Sequence, residues 1–186
     1  MNQEVQNSVA TLKKGGLLVY PSDTIWGLGC DATNYDAVQK IYALKQREES
    51  KSMICLVSNF RMLQQYVEDI PETAYTILKF ANKPTTIIYD KPIRVANNLV
   101  AADDSLAIRL VHDSYCQRVI DGLKKPLVST SANISGQPSP KSFAEISPLI
   151  LDGADYVVNL HRTKKTAQAS SIIKLSSDGT VKVIRQ

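Results

Sequence analysis

No run of apolar residues in this chain approaches the length of a membrane span, and the polar N-terminus lacks the apolar core of a signal peptide. Cysteine is scarce: Cys30, Cys55 and Cys116 lie far apart and form no C-x-x-C. With only His112 and His161 besides, a zinc site is not expected, and a reducing compartment is the simplest inference. Neither a G-x-x-x-x-G-K-[ST] loop nor G-x-G-x-x-G is present, so a bound nucleotide must be held by another design. No Ser-His-Asp or Cys-His set stands out. The reading that remains is a cytoplasmic protein without a resident metal. The 186 residues suit one domain, 1–186, with a sizeable core. A charge of +4 permits an anionic partner such as a nucleotide or RNA without demanding one.

What is present centres on residues 126–140. Leu127 and Val128 read as the end of a buried strand. Ser129, Thr130, Ser131, Asn133, Ser135 and Ser139 then follow almost without a break, and Gly136, Pro138 and Pro140 rule out a long helix. A strand end opening into short hydroxyls and free backbone N–H groups suits a phosphate or carboxylate, because small side chains let a ligand approach those donors. An ordinary polar connection has the same composition.

Around this stretch, helices and strands alternate. Val5, Val9 and Leu12 have helical spacing, ended by Gly15-Gly16. Leu17–Tyr20 reads as a buried strand, after which Gly27 and Gly29 are expected to keep the chain irregular. Asn34 is placed to cap a helix from about Tyr35 to Leu44, Asn59 one reaching about Tyr66, Ser114 one reaching Leu123, and Ser142 one with Phe143, Ile146, Leu149 and Ile150 inward. Pro71 suits the first turn of another, through Phe80. Met53–Val57, Thr85–Tyr89, Leu106–Ile108 and Tyr156–Val158 read as strands. Ser171–Leu175 and Val181–Ile184 read as a hairpin around Asp178-Gly179. The expected class is α/β with a mixed sheet.

Three groups of cations call for a reading. Lys45 and Arg47 stand between a helix end and a strand start, where they are either a solvated loop or a pair suited to polyphosphate. Arg109 ends an apolar strand, as a surface edge residue or as a carboxylate clamp. Lys79, Lys83, Lys124, Lys125, Arg162, Lys164 and Lys165 form a face for RNA only if the fold gathers them. Residues 160–170 read as a mobile loop.

Taken in order, these pieces resemble the YrdC family. Tyr20-Pro21-Ser22-Asp23-Thr24-Ile25-Trp26-Gly27-Leu28-Gly29 is similar to its proline-threonine-acid-threonine segment. Lys45-x-Arg47 looks like its K-x-R motif, and Leu106–Arg109 like its strand ending in arginine. Ser131-Ala132-Asn133 with Ser135-Gly136 looks like its S-x-N motif. Ser170–Ile173 and Ile184-Arg185 resemble its last strands. The likeness runs from about Gly15 to Arg185. Departures surround these motifs: Glu48 replaces proline, Lys51-Ser52-Met53 replaces asparagine-proline-leucine, Leu56 stands for a histidine, Ala81-Asn82-Lys83 replaces tryptophan-proline-glycine, and Trp26 stands for tyrosine.

The resemblance is best to the threonylcarbamoyl-AMP synthase (TsaC-type) branch, in its short form without a further C-terminal domain. It implies a twisted, open mixed sheet with flanking helices around a deep cavity. It also implies formation of threonylcarbamoyl-adenylate and pyrophosphate from L-threonine, bicarbonate and ATP, with Mg²⁺ arriving on the ATP. The product would pass to a threonylcarbamoyl transferase complex that modifies tRNA. By carry-over, Ser22, Arg109 and Ser170 hold threonine, and Lys45 and Arg47 neutralise the triphosphate. Ser105, Ser131, Asn133, Ser139 and Arg185 contact the nucleotide, with Asp23 a helper for the metal. The competing expectation is a paralogue resembling the YciO branch, or an RNA-binding module of the same fold, without synthase activity.

Overall fold

A computed structural model describes residues 1–48, 53–163 and 168–186. Nine strands form one mixed sheet in the order β7-β1-β2-β6-β3-β5-β4-β8-β9. The strands are β1 (Leu18–Tyr20), β2 (Gly27–Gly29), β3 (Ile54–Val57), β4 (Thr85–Asp90), β5 (Ser105–Leu110), β6 (Leu127–Ser131), β7 (Tyr156–Val157), β8 (Ser171–Leu175) and β9 (Val181–Arg185). The pairs β1/β7, β3/β5 and β4/β8 are parallel, and the other neighbours are antiparallel. The helices are α1 (Asn2–Lys13), α2 (Tyr35–Lys45), α3 (Phe60–Leu63), α4 (Glu72–Phe80), α5 (Ser114–Leu123) and α6 (Pro148–Asp152). None among the described residues is long and apolar enough to cross a membrane.

Alternation along the strands divides the core between the two faces of the sheet. Val19, Leu28, Cys55, Val57, Ile87, Ile108 and Val128 pack with α2 in the larger cluster. Leu18, Tyr20, Leu56 and Leu127 pack on the other face against Leu12 of α1 and Val119, Ile120 and Leu123 of α5. The three cysteines are buried and unbridged, and burial pushes the Cys55 thiol up to about 12.

Several local expectations change. Gly27–Gly29 is a strand, not an irregular segment: the Tyr20 ring fills the space over Gly27, and a Cβ at Gly29 would lie within 2.2 Å of the Val128 carbonyl oxygen. Strand β6 runs on through Ser129, Thr130 and Ser131, because β3 pairs along one side of it and β2 along the other. The N-cap of α5 is Asp113, whose Oδ1 accepts from the Cys116 N–H at 2.8 Å, with Ser114 inside the helix. Helix α3 stops at Leu63, short of Tyr66. The segment after Ser142 breaks into a 3₁₀ turn (Phe143–Glu145) and α6, since Pro148 forces Ser147 into an extended conformation. Leu149 is consequently exposed instead of inward.

Candidate active site

Register lines up a row of side chains on the α1/α5 face: Leu127, Leu56, Arg109, Thr86, Ile172 and Arg185, one from each of six neighbouring strands. Paired residues share a face, so two arginines from distant parts of the chain lie along one line. A cavity of about 270 Å³ opens over this row, with Ser129 and Ser131 of β6 and Arg47 also on its wall.

Arg109 sits between Leu56 and Thr86 and is only 4% exposed. A guanidinium so buried needs partners. One Nη meets the Asp23 carboxylate at 3.1 Å and the other donates to Thr24 Oγ1 at 3.1 Å. Its Nε has no hydrogen-bond partner among the described residues. Burial therefore rules out the surface-edge reading and leaves a donor to spare for an anion. Asp23, expected beside a metal, is engaged instead by Arg109. Ser22 stands behind the wall: its Oγ donates to the Ile25 carbonyl at 2.7 Å and lies 3.0 Å from Thr24 Oγ1. The wall here consists of Thr24 and Ile25.

Opposite, Ser170 lines the cavity. Its Oγ lies 2.8 Å from Thr86 Oγ1, and its carbonyl accepts from Arg185 Nε and Nη2 at 3.0 and 2.8 Å. Ser139 is on the wall as well.

Helix α2 sets the third cation. The left-handed Gln46 (φ 51°) ends the helix, with its N–H on the Ala43 carbonyl and that of Arg47 on the Tyr42 carbonyl. This is a Schellman closure, and it fixes where Arg47 leaves the helix. Burial pulls the Arg47 guanidinium below its usual range. Lys45 is turned the other way. It is 1% exposed, and its ammonium donates at 2.5 Å to the carbonyls of Ser131 and Asn133. The Lys45 carbonyl in turn accepts from the Ser135 N–H at 2.8 Å. Lys45 thus ties the 131–135 segment to α2. Burial, and secondarily Arg47, lowers its pKa to about 8. Asn133 braces the same turn, its Nδ2 donating to the carbonyls of Ile134 and Gln137 at 3.0 and 2.6 Å.

Arg47, Arg109, Ser131, Ser139, Ser170 and Arg185 therefore meet on one cavity. Ser22, Lys45 and Asn133 support its walls. Ser105 lies at the other end of β5 from Arg109 and donates to Asp103 Oδ1 at 2.6 Å. Sequence reasoning missed Thr24 as a wall residue and Thr86 as a support; the strand register places Thr86 beside Arg109, and the β1–β2 connection brings Thr24 to the wall.

Some residues of the suspected basic face have local partners. Lys125 pairs with Asp31 at 2.8 Å, and Arg162 lies 4.4 Å from the Phe143 ring centre. Lys164 and Lys165, and part of the 160–170 loop, lie outside the described residues, as do Lys51 and Ser52. Among the described residues no group of His, Cys, Asp and Glu is arranged to hold a metal ion.

Two arginines of a mixed sheet, a third just past the end of α2 and several hydroxyls line one cavity, a lining suited to a small, multiply anionic ligand. The chain belongs to the Sua5/YciO/YrdC family, whose model, described as "Telomere recombination", matches residues 10–186. It is 34% identical to a threonylcarbamoyl-AMP synthase of Pseudoalteromonas translucida, over 82% of this chain and 83% of that one. It is 32% identical to that of Idiomarina loihiensis, over 78% and 80%. The fold matches P. abyssi Sua5 complexed with L-threonine at TM-score 0.87 and 23% identity; the match covers 100% of this chain but only 54% of that protein. It also matches E. coli YciO at TM-score 0.85 and 21% identity, covering 100% and 90%.

Proposed function

We propose that this chain is a threonylcarbamoyl-AMP synthase, joining L-threonine, bicarbonate and ATP into threonylcarbamoyl-adenylate with release of pyrophosphate and water. The observation that carries this reading is the convergence of Arg47, Arg109 and Arg185 on one cavity, with the Arg109 Nε left without a partner among the described residues. Arg109 clamps the threonine carboxylate. The threonine amine attacks the bicarbonate carbon and water leaves, giving a carbamate. A carbamate oxygen then attacks the α-phosphorus, and the bond to the β-phosphate bridging oxygen breaks. Arg47, with Lys45 behind it, offsets the charge that gathers on departing pyrophosphate. Ser131, Ser139 and Arg185 line the nucleotide side, and Ser170 closes the amino-acid side.

No covalent enzyme intermediate is required. Positioning alone supplies effective molarities of about 10⁵ M or more. Mg²⁺ would enter on ATP, bound chiefly through the phosphates, and would neutralise phosphate charge there; Asp23 is engaged by Arg109. The product passes in the cytoplasm to a threonylcarbamoyl transferase complex acting on tRNA.

The test is pyrophosphate release from ATP with threonine and bicarbonate each present or omitted. Release that requires both is expected. No release from folded, ATP-binding protein would sink the reading and favour a YciO-like role, to be pursued by RNA binding against salt.

A further inference from the structure

Tyr20 is the buried polar group at this site that the roles above leave unused. It is fully buried, and its hydroxyl has no hydrogen-bond partner among the described residues. A phenol in that state costs stability, so its retention calls for a reason. Its placement is specific. Tyr20 pairs with Gly27 across β1 and β2, and Gly27 pairs with Ser131 across β2 and β6. A Cβ at Gly27 would meet Tyr20 Cζ at 3.0 Å and its hydroxyl oxygen at 3.2 Å, and one at Gly29 would meet Tyr20 Cε1 at 3.0 Å. The ring lies across β2 in the space two side chains would otherwise take. Its hydroxyl is thereby carried past β2 toward β6.

Side chains alternate along β6, so Ser129 and Ser131 share one face, and Gly27, against which the Tyr20 ring lies, pairs with Ser131. Burial raises the Tyr20 pKa well above the usual value, and the Ser129 side chain lowers it. The protonated phenol can donate or accept. Ser129 lines the cavity, and Arg109, with its own unpartnered Nε, is near enough to act on Tyr20 electrostatically.

We propose that Tyr20 is a positioning residue whose O–H donates to Ser129, so that Ser129 in turn donates to a carboxylate-type oxygen held beside Arg109. That oxygen belongs either to the threonine carboxylate or to bicarbonate and the carbamate made from it. The proposal rests on the synthase reading for the identity of these ligands. A bound carboxylate oxygen completes the chain.

The experiment compares Tyr20→Phe, Ser129→Ala and the double variant with the parent chain. Threonine affinity is measured by calorimetry, KM for threonine, bicarbonate and ATP in pyrophosphate release, and melting temperature alongside. Tyr20→Phe keeps the ring and removes an unpaired hydroxyl, so it is expected to melt at or above the parent. KM for threonine or for bicarbonate should rise about tenfold, with KM for ATP unchanged, since hydrogen bonds to charged groups are worth at least that factor. Whichever KM moves identifies the oxygen. The double variant should be no worse than Ser129→Ala, because the two hydroxyls act in series. Parent-like kinetics in Tyr20→Phe, an equal rise in all three constants, or additive losses would overturn the proposal. Should Tyr20→Phe fail to fold, parent-like behaviour of Ser129→Ala overturns it equally. If the parent releases no pyrophosphate, the synthase reading fails separately. Threonine binding then decides: weaker binding in Tyr20→Phe upholds the donor chain, while unchanged binding, or none in the parent, refutes it.

Discussion

Lys45 shows how a residue's type can be legible while its orientation is not. Its position in a K-x-R pair reads as a phosphate cation, yet its ammonium lies among the carbonyls of Ser131 and Asn133. Lys45→Met removes the ammonium from both carbonyls; that of Ser131 keeps the Asn133 N–H at 2.9 Å, so the cost of about 1–3 kcal/mol for a lost buried partner falls mainly on the Asn133 carbonyl. The variant is expected to melt well below the parent and to lose nucleotide affinity as the 131–135 segment loosens; a parent-like melting temperature would remove Lys45 from this bracing role. Its pKa also sets a pH dependence. The folded value, about 8, is below the ordinary 10.5. Between these values the unfolded chain holds a proton that the folded chain has released, so stability from this group rises with pH across that window. Below pH 8 both states are protonated and the burial cost is present in full. Melting temperature followed from pH 8 to 10.5 should therefore climb relative to Lys45→Met. A difference that stays flat would mean that the ammonium is not perturbed as its burial implies. Arg109 was more legible: an arginine closing an apolar strand is costly without an anion, and its burial excludes the surface-edge reading. Thr24 and Thr86 carried no such signal, since a threonine in or near a strand is ordinary.

At the scale of elements, sequence conveyed propensity well and conveyed poorly the reasons that arise from neighbours. The Asn34 cap, helices α1, α2 and α4 and the closing hairpin were all visible, because capping, periodicity and turn chemistry are local. Strand β2 was not, since Gly27 and Gly29 weaken any strand signal and are required only by Tyr20 and β6. Gly29→Ala places a methyl group 2.2 Å from the Val128 carbonyl oxygen. It should cost about 1–3 kcal/mol or more by overpacking, read from denaturant melts, while an unaffected stability would show that β2 and β6 can separate freely. The Gln46 turn makes a second case. Gln46→Gly suits the left-handed conformation and should keep both fold and activity. Gln46→Val opposes it, because a β-branched residue tolerates positive φ badly, and should cost about 1–2 kcal/mol. The same change displaces Arg47, so turnover should fall more than stability explains. Equal turnover in the two variants would separate Arg47 placement from the helix closure.

The molecule as a whole depends on strand order, which no local pattern encodes. Arg109 and Arg185 share a row only because β4 and β8 stand between their strands, and β6 reaches the site because it is inserted between β2 and β3. One consequence of the roles proposed above is that Arg109 on β5 and Arg185 on β9, with two strands between them, should respond separately to threonine and to nucleotide. A ligand that binds only the folded state stabilises it by about 2.7 kcal/mol at a hundredfold excess over Kd. For a chain of this size, each kcal/mol raises the melting temperature by about 2–4 °C. ATP with Mg²⁺, and threonine, should therefore each raise the melting temperature by about 5–10 °C when saturating. Arg109→Ala should abolish the threonine shift and keep most of the ATP shift, while Arg185→Ala should do the reverse. The threonine loss follows because the unpartnered Nε and the bidentate capacity of the guanidinium vanish together. Loss of both shifts in Arg109→Ala, from protein that still melts cooperatively, would mean that the row acts as one electrostatic unit and not as two subsites.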